Sequence, residues 1–219
     1  MLLRLVAIVS LAGLLFLVVW YFWFIRSNRR RAEEILHWVN RAFDGHGEAA
    51  TVQWIGASRF FISMHAPPSL FIRTSLMVKL RPRENPIAWF LSRIRHEQEC
   101  LTFQADLDSA PCFNLEVHNH TWYGRTRRRF PGRSQNWVME QAGPYVLTTR
   151  NDWQRDITTM MNALLASREC ECLSVCFRRS SPHLSVTVPV AALSPDEQVQ
   201  LGIFDVLREL ATGALAVRF

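Results

Sequence analysis

Cys170, Cys172 and Cys176 stand close together late in the chain, at alternate positions of a segment that reads as a strand. Thiolates on one strand face could bind a soft metal. Alternate residues of a strand are about 6.6 Å apart, however, too far for adjacent ligands of one ion unless the strand bends. No second ligand pair follows at the spacing of a zinc site, so three small side chains on a sheet face is the simpler account. His118 and His120 put two imidazoles at the end of another predicted strand, where they could ligate a metal or exchange protons. Asp106 and Asp108 share the polar side of a strand and its turn, where paired carboxylates could hold a hard cation or do acid–base work. Polar edge residues and solvated turn acids are the favoured accounts of the two pairs. No P-loop, dinucleotide-binding glycine pattern, nucleophile elbow or H-E-x-x-H helix is present. The expectation is no catalytic set, no cofactor and no metal.

A second kind of chemistry is electrostatic. Arg125, Arg127, Arg128, Arg129 and Arg133 crowd into one irregular stretch, Trp122 to Gln135, with Gly124 and Gly132. Guanidinium groups so arranged could grip a lipid phosphate or a partner's acidic patch. Trp122, Tyr123 and Phe130 interleave with them, as at some nucleic-acid surfaces. The charge of the whole chain argues against nucleic acid. The net +6 is concentrated in Arg4, Arg26, Arg29, Arg30 and Arg31, and the remainder carries 20 basic against 19 acidic side chains. A near-neutral body lacks the field of a nucleic-acid-binding domain. Membrane or acidic-partner contact is the expected functional use of the loop, and a merely solvated loop accounts for it as well.

These groups must be positioned by something, and the clearest element is the first. Leu5 to Ile25 is 21 residues without a charge. At about 1.5 Å per residue it crosses a hydrocarbon layer of about 30 Å. Trp20, Tyr21 and Trp23 lie at its end, at headgroup level, and Arg26, Arg29, Arg30 and Arg31 follow. A cleaved signal would have a shorter apolar run and a small-residue cleavage site. One Arg precedes the run and four follow, so the expected topology is N-terminus out and domain in, at the cell (inner) membrane. The Asn119-His120-Thr121 sequon then has no use. The expected divisions are a short outer tail (1–4), a transmembrane helix (5–25), a basic juxtamembrane segment and linker helix (26–46), and one cytoplasmic domain (47–219). Five Cys, an odd count without framework spacing, fit free thiols in a reducing compartment.

Within the domain, Ile35, Leu36, Val39, Ala42 and Phe43 give a linker helix one apolar face. Strands are expected at Thr51–Ile55, Arg59–Met64 and Ser69–Arg81, the last with Leu70, Ile72, Thr74, Leu76, Val78 and Leu80 on its inner face. Asn85–Arg95 reads as a helix started by Pro86, with Ile87, Phe90, Leu91 and Ile94 as its core stripe and Trp89 off it. Leu101–Leu107 and Phe113–Val117 are expected to form a hairpin about Asp108–Pro111. Short extended segments are expected at Trp137–Gln141 and Tyr145–Thr149 and a helix at Asp152–Ser167. Cys170–Phe177 and His183–Val190 form a second hairpin. A final helix is capped by Ser194, Pro195 and Glu197 and ended by Gly213, with Leu201 and Phe204 off its core stripe. Strand clusters separated by single helices imply an α+β fold, a mostly antiparallel sheet with three or four helices packed on it.

Several strings carry a family resemblance: Trp38-Val39-Asn40; Leu76-Met77-Val78-Lys79-Leu80 followed by Leu91-Ser92-Arg93-Ile94; Leu101–Ala105 leading to Leu115-Glu116-Val117; and Met160 to Leu165, Ser174-Val175-Cys176-Phe177 and Leu184–Pro189. From the anchor to about Pro189 the chain resembles the calumin family, single-pass membrane proteins of the endoplasmic-reticulum translocon machinery with a cytosolic α/β domain. The acidic segment before the anchor and the Lys-rich tail of that family are missing, so calcium binding is not carried over. The resemblance implies a role in membrane-protein biogenesis and supplies no catalytic residues. With 24 Arg to one Lys, the composition looks bacterial or archaeal. The expected function is a membrane-anchored accessory or interaction protein whose partners are the bilayer and a membrane protein. The alternative is a membrane-tethered enzyme, which requires His118, His120, Asp106 and Asp108 to converge on one point within hydrogen-bond reach, about 3 Å.

Overall fold

The computed structural model describes residues 2–42, 48–65, 70–119, 137–142, 145–150, 173–193 and 207–214. A single helix, α1 (Leu2–Ala42), runs through both the apolar segment and the expected linker. At about 1.5 Å per residue its 41 residues extend about 60 Å. The two halves live in different surroundings. From Leu2 to Val19 every side chain is exposed, whereas Asn28, Ala32, Ile35, Trp38 and Val39 are buried in the domain. The helix is long and apolar enough to cross a membrane, and its most apolar window makes no buried contact with the rest of the chain.

Among the described residues nine strands form one antiparallel sheet: β1 (Glu48–Trp54), β2 (Arg59–His65), β3 (Phe71–Lys79), β4 (Cys100–Leu107), β5 (Leu115–Asn119), β6 (Trp137–Ala142), β7 (Tyr145–Arg150), β8 (Ser174–Phe177) and β9 (Leu184–Pro189). Their spatial order is β1-β2-β3-β4-β9-β8-β5-β7-β6. Alternating side chains give the sheet two unlike faces. One cross-strand row of the inner face is Ile62, Leu76, Phe103, Val186, Val175 and Val117, each no more than 1% exposed. The buried side of α1 and the helical residues 207–214 (α3) join this face in one core through Val39, Leu207, Leu210, Ala211 and Ala214. A row of the outer face is polar: Ser63, Ser75, Gln104, Ser185, Cys176 and Glu116. The architecture is the α+β class expected from the sequence. Helix α3 runs through Gly213 to Ala214 rather than stopping at the glycine.

The structure corrects two details of the expected sheet. β4 and β5 do not pair. The β8–β9 hairpin lies between them, with β9 on β4 and β8 on β5. The connection 108–114 therefore crosses two strands. Phe113 anchors it in the core against Phe177, with ring centroids 5.7 Å apart. The hairpin turn holds it from the other side, where Arg179 donates to the Cys112 carbonyl through Nε at 2.8 Å. On β3 the expected alternation fails at its start. A register shift between Phe71 and Arg73 against β4 turns Phe71 into the core, 3% exposed, and leaves Ile72 57% exposed. An extra residue in one strand of a pair does this by reversing the side-chain alternation beyond it.

Candidate functional site

Polar and aromatic side chains of α1 meet the domain where the helix enters it. Asn28, 1% exposed, donates through Nδ2 to the Ala57 carbonyl at 3.2 Å, so the helix grips the turn between β1 and β2. The Arg29 guanidinium lies over the Trp54 ring, 5.8 Å from its centroid. About two turns earlier, Trp20 donates from its indole nitrogen to the Arg83 carbonyl at 3.0 Å. Its ring meets Trp89 edge-on at 5.9 Å and lies between Phe16 and Phe24.

Glu99 ties these pieces together. Its carboxylate is mostly buried and accepts from Arg83 at 3.0 Å, with Arg31 at 3.9 Å and the Arg81 backbone N–H at 3.4 Å. Arg83 also donates to Ser27 Oγ at 3.4 Å. One carboxylate thus joins α1 to the segment between β3 and the next helix. A buried carboxylate needs such donors, because its desolvation is otherwise uncompensated.

That helix, α2 (Pro86–Ile94), is built as its local sequence requires. Asn85 caps it, its side-chain oxygen accepting from the N–H groups of Ile87 at 3.0 Å and Ala88 at 3.1 Å, and Pro86 takes the first position, where no N–H is needed. The helix ends in a reciprocal cap. Glu97 N–H reaches the Ser92 carbonyl at 2.9 Å and His96 N–H the Arg93 carbonyl at 3.1 Å, with His96 at φ 49°. This turn returns the chain to β4 and sets Glu99 beneath Arg83. The orientation of α2 overturns the expectation. Ile87, Phe90, Leu91 and Ile94 are 71%, 59%, 42% and 58% exposed, while Ser92 is buried and Trp89 packs on Trp20. The stripe assigned to the core points away from it. Periodicity reveals that a helix is amphipathic and not which neighbour its apolar face meets.

The remaining interface residues divide by surroundings. Tyr21, Trp23, Arg26 and Arg30 project outward from α1, and Arg31 also pairs with Glu34. Arg125, Arg127, Arg128, Arg129, Arg133, His120, Cys170, Cys172, Leu201, Phe204, the cap at 194–197 and the helix expected at 152–167 lie outside the described residues.

Among the described residues the polar candidates do not converge. His118 is buried on the outer face of β5, with Nε2 3.8 Å from Glu116 Oε2. Arg178 contacts the other Glu116 oxygen at 3.0 Å. The neighbouring His118, with help from Arg178, holds the Glu116 carboxyl below its ordinary value against the opposing effect of burial. Asp106 lies on β4, three strands away in the sheet order and four residues further along. Strand spacing and rise separate the two by about 20 Å, and Asp108 lies beyond. Asp106 instead borders a shallow depression of about 370 Å³ with Arg73, Gln104 and Pro182. Cys100, Cys112 and Cys176 are free thiols, and burial pushes those of Cys100 and Cys176 up. Among the described residues no three His, Cys, Asp or Glu side chains are grouped to hold a metal ion.

No family model matches the chain, and no curated protein matches it. Among solved structures, the mycobacterial trehalose monomycolate transport factor A is similar with a TM-score of 0.44 and 7% identity, over 80% of this chain and 91% of that one.

Proposed function

We propose that this chain is a single-pass membrane accessory protein whose N-terminus lies outside and whose α+β domain is held at the cytoplasmic face to engage a membrane-protein partner. The observation that carries the reading is the division of α1. A span of exposed apolar residues continues without a break into a segment whose side chains are part of the domain core. A flexible tether would let the domain wander, whereas a continuous helix holds it at a set height and rotation relative to the bilayer. The arginines at the boundary favour the cytoplasmic side. A chaperone-like part in inserting or assembling membrane proteins, as the resemblance to the calumin family implies, is the biological role within this proposal.

The test is twofold. A reporter that is active only outside the cytoplasm, placed after residue 219, stays silent if the topology is right, and its activity overturns it. Mild detergent extraction of the tagged full chain then recovers a membrane-protein partner in constant ratio. Recovery of the chain by itself overturns the accessory role while leaving the topology standing.

A further inference from the structure

The outward stripe of α2 has an occupant defined by its position. We infer that α2 lies in the membrane interface beside α1, with Ile87, Phe90, Leu91 and Ile94 inserted into the cytoplasmic leaflet; this rests on the reading of α1 as a membrane span. Four of the seven large apolar side chains exposed outside α1, among the described residues, lie on this nine-residue helix. Their i, i+3, i+4, i+7 spacing makes one stripe of roughly 100°, the width of a helix face that meets an apolar phase. The opposite side carries Ala88 and the buried Ser92, small side chains that let the helix sit close to the domain.

Depth selects lipid over water. Trp89 touches Trp20, and Trp20 stands five residues before Ile25, the last uncharged residue of the apolar run. Five residues of helix are about 7.5 Å. Interfacial helices bury their apolar face about 5–10 Å into the boundary between headgroups and acyl chains. If α1 spans the bilayer, α2 is carried to that depth by its contact with Trp20. The surrounding charges suit anionic headgroups. Arg93 lies over the Trp89 ring at 5.7 Å, and Arg26, Arg30 and Arg95 are exposed nearby in sequence at the same end. Ile55, 65% exposed, is in the turn that α1 grips through Asn28 and adds an apolar side chain to that end.

The experiment places a photo-crosslinking benzophenone amino acid singly at positions 14, 90 and 108 of the full-length chain, in vesicles of phosphatidylcholine and phosphatidylglycerol. All three native side chains are exposed, so the replacements leave the core intact. Asp108 lies beyond the far end of β4, about 30 Å from Glu99 by strand rise. Irradiation and mass spectrometry identify lipid-bearing peptides. Adducts at 14 and 90 in comparable yield, with none at 108, are expected. Adducts at 14 without 90, or a crosslink from 90 to a second protein chain, overturn the assignment of α2 and leave the anchor intact. Absence of adducts at all three overturns the membrane span itself and this inference with it.

Discussion

The indole nitrogen of Trp20 lies 3.0 Å from the backbone carbonyl of Arg83, joining the apolar half of α1 to the segment that starts α2. This bond and the Glu99 cluster about two to three turns beyond it make the helix and the domain one body at the level where the charged sequence begins. The stability of that junction is open to measurement.

Glu99→Ala should destabilise the domain by about 2–3 kcal/mol, because it strips a mostly buried Arg83 of its carboxylate. Arg31→Gln should cost less than about 1 kcal/mol, since Arg31 is 42% exposed and 3.9 Å from the same carboxylate. Chemical denaturation of the detergent-solubilised full chain separates the two. Equal costs would contradict the assignment of Glu99–Arg83 as the dominant pair.

The register shift on β3 reverses the roles that simple alternation gives to neighbouring residues. Phe71→Ala should cost about 3–5 kcal/mol through loss of core volume beside Phe103, whose ring centroid is 5.7 Å away. Ile72→Ser should change stability by less than about 0.5 kcal/mol. Thermal unfolding of the two variants checks the shift directly, and the opposite ranking would place Ile72 inside.

Glu116 gives the domain an acid-sensitive contact. Its carboxyl is held below the ordinary value of 4.5 by His118 first and then by Arg178. A depressed carboxylate contributes stability that is present above its unfolded pKa and lost as pH falls through its folded pKa. The window therefore lies at and below about pH 4.5. Glu116→Gln should lower stability near neutral pH, and the gap from the parent chain should close as the medium is acidified through that window. A gap independent of pH in denaturation curves would assign the effect to packing.

His96 occupies a left-handed position, φ 49°, at the end of α2. A side chain there costs about 1 kcal/mol that glycine avoids. His96→Gly should raise stability by about 0.5–1 kcal/mol, partly offset by the extra freedom of the unfolded chain. A lower unfolding midpoint for the variant would show that the imidazole contributes more than its backbone costs.

Local chemistry was legible in the sequence. The uncharged run from Leu5 to Ile25, the Asn85-Pro86 start of α2, and the alternation of Leu76, Val78 and Leu80 follow from contacts within a few residues, and each appears as expected. The site was legible in its parts: Trp20, Arg29 and Arg31 stand out by type and place. Glu99 does not, because nothing near it in the chain marks it as the acceptor for arginines sixteen and sixty-eight positions earlier.

What the sequence by itself determined is the inventory of elements and the apolar segment that begins it, since side-chain period and helix capping depend only on neighbours along the chain. Tertiary structure alone decided which strands are adjacent and which way α2 faces. The β8–β9 hairpin enters between β4 and β5 because burying Val175 and Val186 in the inner row requires neighbours distant in sequence. An amphipathic stripe is likewise a fact about one helix, and only the docking of Trp89 on Trp20 turned that stripe outward.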